Sequence, residues 1–134
     1  MTGPANATHA ILFVYDIFGF FPQAIQGADI LAHGDHSRPY RVFMPDFLEG
    51  KPADISWYPP DNEEKGKKLG QFFQDIAAPP KNLPKLHAIM ELLKKDYPSV
   101  TKWAGVGFCW GAKVGEHHRV DCHFVGDTEP ISSF

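Results

Sequence analysis

Three short apolar runs stand out along the chain, and longer stretches with helical spacing of apolar positions separate them. The runs cover residues 10–15, 40–44 and 103–106, and Arg41 is the one charged residue within them. The first run is continuously apolar, which is typical of a strand that is buried on both faces of a parallel sheet. The pattern therefore predicts three strands of one parallel sheet.

The stretches between these runs predict three helices, over residues 23–33, 63–76 and 83–97. Gly34 and Pro98 follow two of them and are typical of helix ends. The apolar face of the third helix comprises Leu86, Ile89, Met90, Leu92 and Leu93. Strands that alternate with helices predict an α/β fold, in which a parallel sheet has flanking helices. Ligands bind such sheets at the carboxyl ends of the strands.

The third strand leads into the segment Gly107-Phe108-Cys109-Trp110-Gly111, and residues 112–114 can continue as a helix. A strand, then glycine–x–nucleophile–x–glycine, then a helix is the pattern of a nucleophile elbow, here with cysteine as the nucleophile. Glycines without a Cβ allow the strand and the helix to approach closely. The cysteine sulfur then projects at the helix N-terminus, which favours a thiolate. The alternative is an inert cysteine buried in the core.

Composition and charge limit the classes of partner. The 134 residues are enough for one domain, with 43% hydrophobic and 22% charged residues and a net charge of −3. This charge predicts no nucleic acid and no anionic membrane as a partner. No apolar run reaches the ~18 residues of a membrane span, and the N-terminus lacks the basic region of a signal peptide. Two cysteines make no disulfide framework. The chain is therefore predicted to be cytoplasmic.

From about residue 3 to residue 113, the chain resembles the dienelactone hydrolases, particularly the fungal-type members. Three segments carry the resemblance: Tyr15-Asp16-Ile17-Phe18-Gly19, Met44-Pro45-Asp46-Phe47 and the elbow 107–111. The resemblance implies an α/β-hydrolase fold. It also implies a Cys-Asp-His triad that opens a small-molecule carboxylic ester or lactone through an acyl-enzyme, and no cofactor.

The resemblance also implies roles for single residues. It makes Cys109 the nucleophile, with Gly107 and Gly111 as the elbow glycines, and it makes the backbone N–H groups of Ile17 and Trp110 the oxyanion hole. Asp16 falls where bacterial members have a glutamate that hydrogen-bonds the resting thiol. A carboxylate at a strand end also often caps a loop or the next helix, so both roles stay open for Asp16.

The long loop over residues 47–62 bears on the substrate, because long loops in compact domains are usually functional. Its Trp57 and Tyr58 either line the substrate pocket or anchor the loop. Bacterial dienelactone hydrolases hold the substrate carboxylate with an arginine shortly after the Pro-Asp pair. Residues 47–51 of this chain contain no arginine, which argues against a dienelactone acid as the substrate.

The C-terminal segment departs from the family pattern, in which the triad acid and histidine follow the nucleophile. Only 25 residues follow Cys109, too few for two more strand–helix units. We therefore expect an N-terminal part of the hydrolase domain over residues 1–115 and a non-native or disordered tail over 116–134. The C-terminal half of the fold would be missing, and the chain alone would be inactive. The elbow strand would have an unpaired edge that favours self-association.

Two other interpretations come from different functional classes. The chain would otherwise be a catalytically silent fragment or interaction module, or a thiol redox sensor built on Cys109. The tail also holds zinc-type ligands at His117, His118, Cys122 and His123. Their spacing matches no established zinc finger, so no metal site is predicted.

Overall fold

The computed structural model describes residues 1–116 and 123–125, and these form a parallel sheet with flanking helices. The elements in chain order are β1 (His9–Val14), α1 (Pro22–His33), β2 (Arg41–Phe43), a 3-10 turn (Ile55–Trp57), α2 (Glu63–Asp75), α3 (Pro79–Asp96), β3 (Lys102–Gly107), α4 (Trp110–Glu116) and β4 (His123–Val125). The predicted α/β class is confirmed, and each of the three predicted strands and three predicted helices forms.

Strand β1 lies in the interior of the sheet, in the order β2-β1-β3-β4, with every pairing parallel. Residues 10–14 of this strand are at most 2% exposed, as expected for a strand covered on both faces. Strands β1 and β3 pair from His9 opposite Lys102 to Val14 opposite Gly107. The two strands therefore end at the same level of the sheet.

The chain reverses its direction of travel across the sheet next to β1. It leaves β1 for β2 on one side and then crosses back to β3 on the other side. Right-handed crossovers then put α1 on one face of the sheet, and α3 and α4 on the opposite face. A crevice opens where such connections diverge, outside the carboxyl ends of the two strands, and it is the usual ligand site of an open α/β sheet. Here the crevice lies beyond Val14 and Gly107.

Helix α3 begins four residues before the predicted start at residue 83. Its first two positions are Pro79 and Pro80, where proline fits because the first N–H groups of a helix have no partner inside the helix. Pro84 lies inside the helix. Helix α2 begins as the sequence suggests: Asn62 caps it by accepting a hydrogen bond from the Lys65 N–H at 2.9 Å.

The expected unpaired edge of the elbow strand is wrong. Strand β4 pairs with β3 in parallel, with Ala104 opposite His123 and Val106 opposite Val125. Three residues of the segment predicted to be non-native thus extend the sheet. Glu116, the first residue of that segment, ends α4. The remaining tail residues, including His117, His118 and Cys122, lie outside the described residues. Self-association stays a prediction.

In the part of the chain that the structure describes, no helix combines the length and the apolar character needed to cross a bilayer.

Candidate functional site

The turn between β3 and α4 has the geometry of a nucleophile elbow. Strand β3 ends at Gly107, α4 begins at Trp110, and Cys109 occupies the turn with φ +52°. A side chain in this left-handed region costs of the order of 1–3 kcal/mol, and such strain is found at functional sites more often than elsewhere. The Gly111 N–H closes the turn with a hydrogen bond of 2.8 Å to the Phe108 carbonyl. The Cys109 residue is exposed, so the structure does not support the inert core cysteine.

The two elbow glycines are required by close backbone contacts. A Cβ built on Gly107 would lie 2.5 Å from the Ala112 nitrogen, and one on Gly111 would lie 2.1 Å from the Val14 carbonyl oxygen. Both distances are shorter than any real Cβ contact, and the opposing atoms belong to the backbone. The spacing of the motif therefore reflects the contact between α4, its own strand β3 and the end of β1.

The loop after β1 runs beside this elbow. Asp16 and Cys109 each lie two residues beyond the paired residues Val14 and Gly107. The Asp16 Oδ1 accepts a hydrogen bond of 2.8 Å from the Phe18 N–H, which is the loop-capping role. The Ile17 carbonyl accepts another, of 2.8 Å, from the Ala53 N–H. These two hydrogen bonds fix the backbone around Ile17, and the Ile17 side chain is buried.

The backbone hydrogen bonds of the described loops and turns include none from two N–H groups near the crevice. They belong to Ile17, in the loop after β1, and to Trp110, the first residue of α4. The first N–H groups of a helix have no partner within it and point out of its N-terminus. The contact of Gly111 with Val14 brings this N-terminus against the end of β1. Both donor positions that the resemblance implies therefore lie just beyond the carboxyl ends of the paired strands β1 and β3, as Cys109 does.

The buried side chain of Trp110 connects the elbow to the segment just before α3. It is 5% exposed, and its indole Nε1 donates a hydrogen bond of 2.8 Å to the Ala77 carbonyl, just before α3. Its ring also contacts Phe47 edge-to-face, with the centroids 6.5 Å apart. Phe47 belongs to the second motif quoted above, so this contact connects the elbow to the loop after β2.

A buried hydrogen-bond network around Tyr15 joins the other two motifs. The fully buried Tyr15 hydroxyl donates to Asp46 Oδ1 at 2.9 Å and accepts from the Leu48 N–H at 3.2 Å. Asp46 Oδ2 accepts a further bond of 2.8 Å from the Gly50 N–H. Burial raises the pKa of the Tyr15 phenol, and its bond to Asp46 raises it further, so it stays a neutral donor.

This network is a feature that the sequence analysis did not assign. Tyr15 and Asp46 were quoted within motifs, but only as markers of a resemblance. Their hydrogen bond spans 31 positions in the sequence. The sequence signal for this network was weak: an aspartate follows each of the first two apolar runs, at Asp16 and Asp46.

The two loop aromatics have separate positions. Trp57 is half-buried and, with Phe72 and Ile76, lines a cavity of about 260 Å³ along α2. Its position fits the loop-anchoring role. Tyr58 is exposed, and its ring meets that of Phe18 edge-to-face at 6.3 Å. Tyr58 therefore contacts the loop that carries Asp16 and Ile17.

A second cavity, of about 300 Å³, lies directly beside the elbow, between α1 and the ends of β1 and β3. Among the described residues, its lining includes Phe13, Asp16, Ala24, Gly27 and Phe108. Phe108 is the residue before Cys109. A partly open, mostly apolar space thus lies at the crevice that the strand order predicts.

The described residues contain no group of three or more His, Cys, Asp or Glu side chains arranged to hold a metal ion. The histidine-rich segment 117–122 lies outside the ranges to which that statement applies.

Comparison with known proteins finds relatives but no activity. The chain is 36% identical over 135 residues to an uncharacterized AIM2 family protein of Schizosaccharomyces pombe, an alignment that covers 100% of this chain and 52% of that protein. A second uncharacterized AIM2 family protein of the same yeast is 32% identical over 113 residues, covering 84% of this chain and 44% of that protein. No family model matches the chain, and no solved structure matches it. Its homologues are therefore AIM2 family proteins, and the chain spans about half the length of the curated relatives it matches.

Proposed function

We propose that this chain carries the nucleophile and the oxyanion-binding groups of an esterase or lactonase of the dienelactone hydrolase type. The observation that carries the proposal is the conformation of Cys109. A cysteine is held at φ +52° between two glycines whose neighbours leave no room for a Cβ. A residue that served only to pack the core would need neither the strain nor the exposure.

The chemistry follows from the groups around this thiol. The Cys109 sulfur, as thiolate, attacks the carbonyl carbon of an ester, and the carbonyl electrons move onto the oxygen. The N–H groups of Ile17 and Trp110 are the donors available to this oxyanion. Collapse of the tetrahedral intermediate breaks the carbon–oxygen bond, and the alkoxide leaves with the bonding electrons and takes up from solvent the equivalent of the proton that the thiol released. Water then hydrolyses the thioester, returning a proton to sulfur and releasing the acid.

Three observations support this assignment over a general thiol protein. The two N–H groups come from the two segments that supply an oxyanion hole in this elbow architecture, namely the residue after the nucleophile and the loop after a neighbouring strand. The site lies at the topological switch point of the sheet. The three motifs that carry the resemblance also contact one another there, through Tyr15–Asp46 and Phe47–Trp110.

The role of Asp16 in the reaction is a separate part of the proposal. Oδ1 caps the loop, and the carboxylate also lines the cavity beside the elbow. The Asp16→Asn variant keeps an oxygen acceptor for the Phe18 N–H and removes the charge. A changed acylation rate at an unchanged melting temperature would assign the carboxylate to the reaction. An unchanged rate would leave it the capping role alone.

The decisive experiment follows covalent labelling of the purified chain by 4-nitrophenyl esters. We expect a burst of up to one equivalent of 4-nitrophenolate, with an acyl adduct that intact-mass and peptide-mass analysis place on Cys109. The proposal assigns no general base for deacylation, so we expect the thioester to persist. The Cys109→Ala variant is the control and should give neither burst nor adduct.

The remaining outcomes separate the alternatives. Steady turnover that Cys109→Ala abolishes would show that the chain also supplies a base. Absence of both burst and adduct in a folded protein would overturn the proposal in favour of a silent interaction module. Reversible oxidation of Cys109 by peroxide, without any acylation, would favour a redox sensor.

A further inference from the structure

The cavity beside the elbow has a composition that selects for one kind of group. Its walls include the rings of Phe13 and Phe108, whose centroids are 5.2 Å apart and whose planes are inclined by 35°. Gly27 of α1 faces Phe13, and a Cβ there would lie 3.8 Å from that ring. The absence of a side chain at Gly27 therefore leaves part of this space open.

The polar groups of the cavity are few and of one sign. Asp16 and Gln23 belong to its lining, and the described lining residues include no lysine, arginine or histidine. A carboxylate in this space would meet the Asp16 carboxylate, with no cation among the described lining residues to pair it. Such a juxtaposition of like charges in a partly desolvated site is unfavourable. The cavity therefore suits an uncharged apolar group.

The position of the cavity relates it to the proposed reaction. Phe108 precedes Cys109 directly, and Asp16 precedes Ile17, one of the two residues proposed to supply an oxyanion donor. The cavity thus opens between the segment with the nucleophile and the segment with an oxyanion donor. A carbonyl carbon at Cys109 would have its acyl substituent next to this space.

We infer that this cavity binds the acyl part of the substrate, and that the substrate is a neutral ester or lactone with an apolar chain or ring. An engineered cavity of about 150 Å³ holds a benzene molecule, and this cavity of about 300 Å³ has room for a larger group. A chain or ring of about six carbons fits that volume. The inference rests on the proposed function, which supplies the reaction at Cys109.

Acylation rates of three 4-nitrophenyl esters test the inference. They are the acetate, the hexanoate and the mono-ester of adipic acid, which has a carboxylate where the hexanoate has its terminal methyl group. We expect the second-order rate constant of the burst to be at least tenfold higher for the hexanoate than for the acetate. We expect the adipate mono-ester to react at least tenfold more slowly than the hexanoate.

Two variants that fill the cavity from α1 sharpen the test. Gly27→Leu and Ala24→Leu place side chains into the same space from successive turns, and both residues belong to its lining. Either variant should bring the ratio of the hexanoate to the acetate rate to about one. Gly66→Leu in α2 is the matched control, because nothing lies within 4 Å of its added Cβ. It should keep the wild-type ratio.

Two results would overturn the inference and leave the proposed function intact. One is a ratio of the hexanoate to the acetate acylation rate near one in the wild type. The other is a ratio that neither cavity-filling variant changes. Equal rates for the hexanoate and the adipate mono-ester would overturn the exclusion of anions.

A second measurement does not depend on the thiol. Hexanamide, which is not hydrolysed, is titrated into the Cys109→Ala protein while amide chemical shifts are recorded by NMR. We expect saturable shifts at Ala24 and Gly27 that are lost in the Cys109→Ala/Gly27→Leu protein. No saturable shift would overturn the inference. If hexanamide gives saturable shifts but no ester acylates Cys109 of the wild type, the binding site is supported and the proposed function is overturned.

Discussion

The contact between Gly111 and the end of β1 gives the sharpest test of how the elbow is built. In Gly111→Ala, the added Cβ would lie 2.1 Å from the Val14 carbonyl oxygen and 2.7 Å from the Tyr15 carbonyl oxygen. Both oxygens belong to the backbone at the end of a buried strand. No side-chain rotation relieves the overlap, so α4 and β1 must move apart.

The size of the effect follows from these distances. Ordinary carbon–oxygen contacts are about 3.3 Å or longer, so relief of the shorter contact needs a displacement of roughly 1 Å. Overpacking of a core typically costs about 1–3 kcal/mol. Here the added Cβ overlaps two backbone oxygens, which cannot rotate away, so the cost should lie at the upper end of this range or beyond it. We expect Gly111→Ala to lower the free energy of unfolding by about 3 kcal/mol. A displacement of roughly 1 Å at Cys109 would also lower the acylation rate on the order of 100-fold.

Urea denaturation followed by far-ultraviolet circular dichroism measures the free energy, and the 4-nitrophenyl ester burst measures the rate. Gly66→Ala is the matched control, since its helix position is open and no atom lies within 4 Å of the new Cβ. Because alanine is the better helix former, this control should gain up to about 1 kcal/mol.

A Gly111→Ala protein with wild-type stability and wild-type acylation would refute the close packing of α4 on β1. Loss of stability in both variants would instead show that substitution of any helical glycine is harmful, and would remove the argument from the contact distances.

Two further predictions concern strain and the buried phenol. Cys109→Gly should be more stable than Cys109→Ala by about 1 kcal/mol, because glycine accepts φ +52° without strain; equal stability in urea denaturation would contradict the strained turn. Tyr15→Phe should cost about 1–3 kcal/mol, because the buried Leu48 N–H loses its acceptor. The raised pKa of Tyr15 means that its neutral form contributes stability that is complete below about pH 10 and is lost as the pH rises further. The free energy of unfolding, measured from pH 9 to 11.5, should therefore fall less steeply for Tyr15→Phe than for the wild type.

The sequence alone determined the local elements and the position of the tight turn between β3 and α4. The apolar runs predicted β1, β2 and β3 because a strand covered on both faces needs apolar residues at most of its positions. The spacing of Gly107, Cys109 and Gly111 predicted the turn, because only glycine permits the close backbone contacts on either side. These are short-range requirements, so the residues that satisfy them are neighbours in the chain.

The sequence was less informative where an element depends on its surroundings. The start of α3 at Pro79 was missed because proline usually ends a helix, although the first helical positions accept it. Strand β4 was missed because three residues are too few to show a strand pattern. Its extended conformation depends on pairing with residues Ala104–Val106 of β3.

Only the tertiary structure decided which residues meet at the site. The position of β1 between β2 and β3 puts the segments that carry Asp16 and Cys109 at the same end of two neighbouring strands, where the crevice lies. The Tyr15–Asp46 hydrogen bond and the cavity beside Phe108 join residues from different strands and helices. Such contacts depend on how the whole chain packs, because side chains far apart in sequence become neighbours only when the strand order and the helix faces are fixed. A local sequence pattern specifies whether a segment is a helix or a strand and which of its faces is buried. It does not specify which other element the buried face will contact.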